Sequence, residues 1–295
     1  MPIVLQPVHP LTLRLPSPLE PLVDERMAPA GIEAMLKRDD LIHPDLPGNK
    51  WRKLKYNLRA AREAGHNVLL TFGGAYSNHI QATAAAGYYF GFSTIGVIRG
   101  EEHLPLNPVL ARAVRYGMTL TYVDRTLYRR RTDTEFVDQL HREYGDFYLI
   151  PEGSGNGHAL PGCAELIAEI DVPFDVLCCS SGTGATLAGV ASALRPGQKA
   201  IGFAALKGGS FLRDDVARLQ LDYGAVAQNW SIETEYHFGG FARRNAALDD
   251  FIADFAERHG ITLDWVYEAK MMYGIFDLVK RGTISAGTRL VAILA

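Results

Sequence analysis

The sequence predicts an α/β protein with two open, twisted, mostly parallel sheets flanked by helices, and three observations point there. Along the 295 residues, short apolar runs alternate with amphipathic segments, as in strand–helix–strand units. Most of the apolar runs close on Gly, Ser or Asn before a helical pattern begins. Nine runs are many for one simple sheet, so two α/β units are expected, each with its own layers.

The first run is AMLKR at 34–38. It leads through LPGNK into KWRKLKYNLRAAREAG, where Trp51, Leu54 and Leu58 form one stripe and Gly65 ends the helix. NVLLTF at 67–72 runs into FGGAYSNHIQATAAAG, in which Ser77 or Asn78 caps a helix and Ala82, Ala84, Ala85 and Ala86 permit close packing. STIGVI (93–98), TLTYV (119–123) and FYLIP (147–151) follow. DVLCCS at 175–180 enters a Gly-, Ser- and Thr-rich loop and then a helix opening with small residues. AIGFAAL (200–206), WSIETEY (230–236) and RLVAIL (289–294) complete the series. Before the last of these, Leu248, Phe251, Ile252 and Phe255 fall at helical spacing, with Gly260 as the C-terminal cap.

A 47% apolar composition can build a large core, and a formal charge of −3 gives no electrostatic reason to expect nucleic acid or an anionic membrane as partner. The run Arg129, Arg130, Arg131 is read as the flank of a solvated helix start. No stretch of 18 uncharged apolar residues suggests a membrane span, and the N-terminus lacks the features of a signal peptide. Cys163, Cys178 and Cys179 fit reduced thiols, so a cytoplasmic protein without disulfides is expected, and no metal site is indicated.

Three loops carry chemistry. Lys50 lies in a first helical turn, where the positive end of the helix dipole disfavours an added cation and suits an amine that must be neutral to attack a carbonyl. Lys53 shares its face, while Arg52 and Lys55 read as solvated. At the second loop, the N–H groups of Ser77, Asn78 and His79 can hold a carboxylate or phosphate. In the third, CCSSGTGATLAG, Gly182 and Gly184 let the N–H groups of Thr183, Gly184, Ala185 and Thr186 converge as a phosphate cup, with two threonine hydroxyls beside them. It is neither a Walker A motif nor a dinucleotide fingerprint. A lysine, a carboxylate site and a phosphate site together suit pyridoxal 5'-phosphate (PLP) bound as a Schiff base.

GNKWRKL, GGAYSNH, SSGTGATLAG and VYEAKMMYG, in that order and at matching separations, resemble the 1-aminocyclopropane-1-carboxylate (ACC) deaminase and D-cysteine desulfhydrase family. These are PLP enzymes of fold type II, the tryptophan synthase β-like group. The resemblance implies that Lys50 carries the cofactor and Lys53 lies near its phosphate. Ser77 matches a proposed acid/base group, and Asn78 an asparagine on the cofactor ring oxygen. Ser77 to His79 correspond to the substrate-carboxylate site, and Thr183 to Thr186 to the phosphate cup. Tyr267 falls on an active-site tyrosine and Glu268 on the partner of the pyridine nitrogen. It also implies a homodimer and two domains, a large one at 1–51 and 161–295 with a small one at 52–160 inserted.

Three departures bear on substrate. ACC deaminases carry a second tyrosine where this chain has Phe241. His79 stands where desulfhydrases have histidine and ACC deaminases glutamine, whereas Glu268 leans the other way. Relatives also continue past the final strand, where this sequence reads VAILA. The expected function is a lyase or deaminase of a small amino acid, with desulfhydrase-like β-elimination preferred and ACC deamination the alternative. A catalytically silent PLP-binding protein is the reading from another class, and a phosphate-ligand module without PLP a more distant one.

Overall fold

The computed structural model describes residues 5–295, and within them the chain divides into two compact units. The first comprises Met1–Leu13, of which residues 1–4 lie outside the described part, and Ile42–Gly162. The second comprises Arg14–Leu41 and Cys163–Ala295. The division falls at 13/14, 41/42 and 162/163, so that Lys50 lies in the first unit, whereas the sequence reading places its boundaries at 51/52 and 160/161.

In chain order the elements are β1 (Leu19–Leu22), β2 (Glu33–Arg38), α1 (Lys50–Glu63), β3 (Val68–Gly74), α2 (Asn78–Phe90), β4 (Ser93–Arg99), α3 (Pro108–Arg115), β5 (Met118–Val123), α4 (Arg125–Arg129) and α5 (Thr134–Tyr144). There follow β6 (Tyr148–Ile150), α6 (Leu160–Ala168), β7 (Val176–Ser181), α7 (Ala185–Ala193), β8 (Lys199–Ala204), α8 (Leu212–Tyr223), β9 (Trp230–Glu233), α9 (Ala246–His259), α10 (Glu268–Lys280) and β10 (Arg289–Leu294). Short 3-10 turns punctuate the connections.

The sheet of the first unit has the order β5-β4-β3-β6 and is parallel throughout. The six-stranded sheet of the second unit runs β1-β2-β10-β7-β8-β9, parallel except where β1 pairs antiparallel with β2 at the edge. The α/β expectation with two mostly parallel sheets therefore holds. All nine apolar runs are strands, and β1 is the strand the sequence reading lacks. Its LEPL is four residues long and contains Pro21, which an edge strand tolerates because one side of its backbone has no ladder to fill.

Central position explains the unbroken apolar character of β10. It lies between β2 and β7, with Leu290 opposite both Ala34 and Val176, so both of its edges are paired, and helices cover the faces of such a central parallel strand. Leu290 through Leu294 are buried. The core of this unit joins β10 to α9 and α10 through Leu248, Phe255, Met271, Met272 and Ile275. In the first unit, α1 and α2 pack through Trp51, Leu54, Leu58, Ala82, Ala85 and Ala86 around Leu69 of β3. α2 comes so near β4 that a Cβ on Gly87 would lie 2.3 Å from Thr94 Cγ2.

Arg52 departs from the solvated reading: it is buried, as is Lys53. A Cβ on Gly162 would stand 2.0 Å from the Arg52 carbonyl oxygen, so the chain at the start of α6 lies directly against the α1 backbone. That contact covers a face which sequence spacing assigns to water. Cys163, Cys178 and Cys179 are buried. Among the described residues, no helix is long and apolar enough to cross a membrane, and no group of three His, Cys, Asp or Glu side chains is placed to hold a metal ion.

Candidate active site

In the first unit the candidate residues gather where β3 gives way to α2 and where α1 begins. Lys50 is the first residue of α1, and its Nζ donates to Asn49 Oδ1 at 2.9 Å. Asn49 is itself buried, so the amine is held by a fixed acceptor. Sequence reasoning missed Asn49, although its place beside the lysine was a signal. Three residues along, buried Lys53 accepts at its carbonyl from Asn57 Nδ2 at 2.8 Å, and Asn57 in turn is paired with Asn156.

Ser77 is the N-cap of α2, its Oγ accepting from Ile80 N at 3.4 Å. The turn needs a glycine before it: a Cβ on Gly73 would meet Ile80 Cγ1 at 2.5 Å and Ser77 Oγ at 2.9 Å. Ser77 is half-buried, Asn78 exposed and His79 buried. Ser77 N donates to the Gly74 carbonyl at 3.0 Å, which takes it out of the expected anion seat, and Ile80 N is capped by Ser77, so the first-turn N–H groups that can face an anion are those of Asn78 and His79.

His79 turns its ring inward. Thr71 Oγ1 donates to the Ile150 carbonyl at 2.7 Å, so at 2.8 Å it accepts from His79 Nε2–H. Burial first, and then the positive charges of Lys50 and Lys53, lower its pKa to about 3. The imidazole is thus neutral in the folded protein and protonates below about 6.5 in the unfolded chain. Because the unfolded state then binds more protons, stability is lost as pH falls from about 6.5 towards 3. His79→Gln keeps a donor for Thr71 without titrating, and urea unfolding of the variant is expected to be distinctly less acid-sensitive over that window.

In the second unit, β7 ends in the glycine loop and α7 begins at Ala185. Gly184 holds φ +77°, and a Cβ there would sit 2.6 Å from Val216 Cγ2. Gly184→Ala is therefore expected to destabilise the protein by roughly 1–3 kcal/mol in urea titrations. A Cβ on Gly182 would lie 3.2 Å from Tyr267 Cε1, which places the tyrosine ring against this loop. Thr186 is buried, and Thr183 Oγ1 is enclosed with no hydrogen-bond partner.

Glu268 opens α10 and is 7% exposed. Its Oε2 accepts from Asp264 N at 2.9 Å and its Oε1 from Ala295 N at 2.6 Å. Burial pushes its pKa up to about 7, and the nearby Asp264 and Asp40 carboxylates act in the same direction, against these two hydrogen bonds. Tyr267 N donates to Asp264 Oδ1 at 2.7 Å, and its ring meets Phe241 edge-on with centroids 5.8 Å apart. Lys270, which sequence reasoning passed over, is 1% exposed and donates to the carbonyls of Ala205 at 3.0 Å and Gly240 at 2.8 Å. It ties the Phe241 loop to α10; a lysine inside an otherwise apolar helix face was the signal.

The sequence matches the family described as "Pyridoxal-phosphate dependent enzyme" over residues 13–295, nearly the whole chain. The chain belongs to this family. A pyridoxal-phosphate-dependent enzyme needs a phosphate seat and a partner for the ring nitrogen, and the residues fit both. The unsatisfied Thr183 hydroxyl beside the first turn of α7 suits a phosphate oxygen. The buried Glu268 carboxylate, anchored by two N–H groups, suits a protonated ring nitrogen.

Among curated relatives, a Pyrococcus furiosus protein named "Putative 1-aminocyclopropane-1-carboxylate deaminase" is 30% identical, covering 86% of this chain and 82% of its own length. An Arabidopsis thaliana protein named "Bifunctional D-cysteine desulfhydrase/1-aminocyclopropane-1-carboxylate deaminase, mitochondrial" is 26% identical, covering 86% and 69%. A crystal structure described as that of an ACC deaminase homologue superposes with a TM-score of 0.83 at 26% identity, covering 96% of this chain and 90% of its own.

Proposed function

We propose that this enzyme is a lyase/deaminase that eliminates a β-substituent from a small amino acid, as D-cysteine desulfhydrase does. The products are a 2-oxo acid, ammonia and a thiol or sulfide. Phe241 against Tyr267 is the observation that carries the choice, because a phenyl ring at 5.8 Å supplies hydrophobic contact but no transferable proton. Ring opening of ACC is thereby left with one phenol where the ACC-cleaving pattern has two. The second reading, ACC deaminase giving 2-oxobutanoate and ammonia, draws support from Glu268 and from the relatives' names.

PLP, when bound, supplies an electron sink for the bond broken at the substrate α-carbon. The Lys50 amine would hold the cofactor's carbonyl carbon, exchange with substrate, and remove or relay the α-proton. Ser77 and Tyr267 would assist proton transfer. The first-turn N–H groups of Asn78 and His79, with the Ser77 side chain beside them, would take the substrate carboxylate, and Phe241 and Tyr267 would bound the substrate side chain. Lys53 and the Thr183–Thr186 turn would bind the phosphate, Asn78 the ring oxygen, and Glu268 the ring nitrogen. We further propose a cytoplasmic homodimer, on the reduced thiols and on family habit respectively.

Product analysis with D-cysteine and ACC side by side tests the reading. Pyruvate and sulfide from D-cysteine support β-elimination, 2-oxobutanoate from ACC supports the alternative, and a coloured protein inert towards all small D- and L-amino acids would establish the silent cofactor binder instead.

A further inference from the structure

At the carboxyl edge of the first unit's sheet, where ligands collect in open parallel sheets, lies a cluster that none of the roles above uses. β4 ends in Arg99, α4 and the residues after it bring Arg125, Tyr128, Arg129 and Arg131, and Glu152 stands just beyond β6. These side chains line a cavity of about 380 Å³, within the size range of small-molecule sites. Tyr128 is 2% exposed, and the Arg99 and Arg131 guanidiniums lie 5.5 and 5.1 Å from its ring centroid. Its hydroxyl is enclosed close to Glu152 but without a hydrogen bond of acceptable geometry.

The arginine run is divided by the fold. Arg130 turns away to Asp133 and Glu135, whereas Arg131 pairs with Glu152 at 2.9 Å and Arg129 lines the cavity. Arg99, Arg125 and Arg129 have no carboxylate within ion-pair distance among the described residues. Four guanidiniums and one carboxylate leave three positive charges around one cavity. Arg99, Arg125 and Arg129 are exposed, so water screens their mutual repulsion, and their guanidinium forks are open to match the oxygens of phosphate and carboxylate groups.

We propose that this cavity is a binding site for a small dianion, a phosphoryl or dicarboxylate compound. Arg99, Arg125 and Arg129 bind its oxygens, and the Tyr128 hydroxyl donates to it. The site stands whichever substrate the enzyme takes. Calorimetric titration of the PLP-saturated protein at low salt, with inorganic phosphate, with succinate and with neutral glycerol, tests it. One equivalent of phosphate or succinate is expected to bind with Kd of about 1 mM or below, weakening as salt is added. The tighter of the two anions identifies the ligand class, and glycerol is expected not to bind.

The double variant Arg99→Ala/Arg129→Ala is expected to weaken anion binding by roughly tenfold or more while the absorption of bound PLP is unchanged. Arg258→Gln, a change in the second unit outside the cavity lining, should leave affinity as it was. Should the double variant be unstable, Arg125→Gln alone is expected to weaken binding in the same direction. Wild-type protein that binds neither anion at about 10 mM, or cavity variants with undiminished affinity, would overturn the assignment.

Discussion

Lys50→Ala protein is expected to lose turnover by roughly 10³-fold or more, together with the visible absorption of lysine-bound PLP. The size of the effect follows from the two duties assigned to one amine, holding the cofactor and moving the substrate's α-proton. Geometry supports the choice among the clustered cations. Lys50 is the residue at the mouth of α1, held at 2.9 Å by the buried Asn49 amide oxygen and facing an imidazole that stays neutral. A protonated histidine there would add a third charge beside Lys50 and Lys53, so the burial that keeps His79 neutral also spares the lysine pair that repulsion. Borohydride reduction followed by peptide mass spectrometry should place the label on Lys50. Lys53→Ala, by contrast, should keep the band and weaken PLP affinity. A Lys50→Ala protein that retained the absorption, with turnover within tenfold of wild type, would remove Lys50 from the mechanism.

Much of this was legible in the sequence, and the exceptions share a physical cause. The nine apolar runs announced nine strands because parallel strands are covered on both faces and need no polar alternation. β1 escaped notice because an antiparallel edge strand can be short and hold a proline. Loop chemistry was equally visible: Ser77 at a helix N-cap and Gly184 at positive φ are local requirements that local sequence must meet. What local sequence does not contain is which distant segment covers a face. Arg52 reads as solvated until the chain around Gly162 is laid against it. Arg129 does stay exposed, but Arg131 reads as the same wet flank until Glu152, from the turn beyond β6, pairs with it. The same holds for Lys270, whose acceptors at Ala205 and Gly240 come from separate loops.

Glu268 joins both kinds of information, since its motif is local and its burial is not, and it yields the second large effect. A carboxyl whose folded pKa is about 7 against an ordinary 4.5 binds more protons in the folded than in the unfolded state between those values. Stability must therefore fall as pH rises through that window, by about 3 kcal/mol for this group once both limits are passed. A glutamine side chain in its place cannot titrate. In cofactor-free protein, the unfolding free energy of Glu268→Gln relative to wild type is expected to shift in the variant's favour by about 3 kcal/mol between pH 4 and pH 8. The Asp264 and Ala295 N–H groups both point at the carboxylate, and glutamine offers one acceptor oxygen, so a pH-independent loss of roughly 1–3 kcal/mol lowers the whole curve without altering its slope. Activity should move the opposite way: without a negative charge for the ring nitrogen, turnover at pH 8 is expected to drop on the order of 10²-fold. A buried carboxylate that costs stability where the enzyme works is intelligible if that charge serves catalysis. A stability difference flat with pH, or full turnover by Glu268→Gln, would show that the carboxylate has no such task.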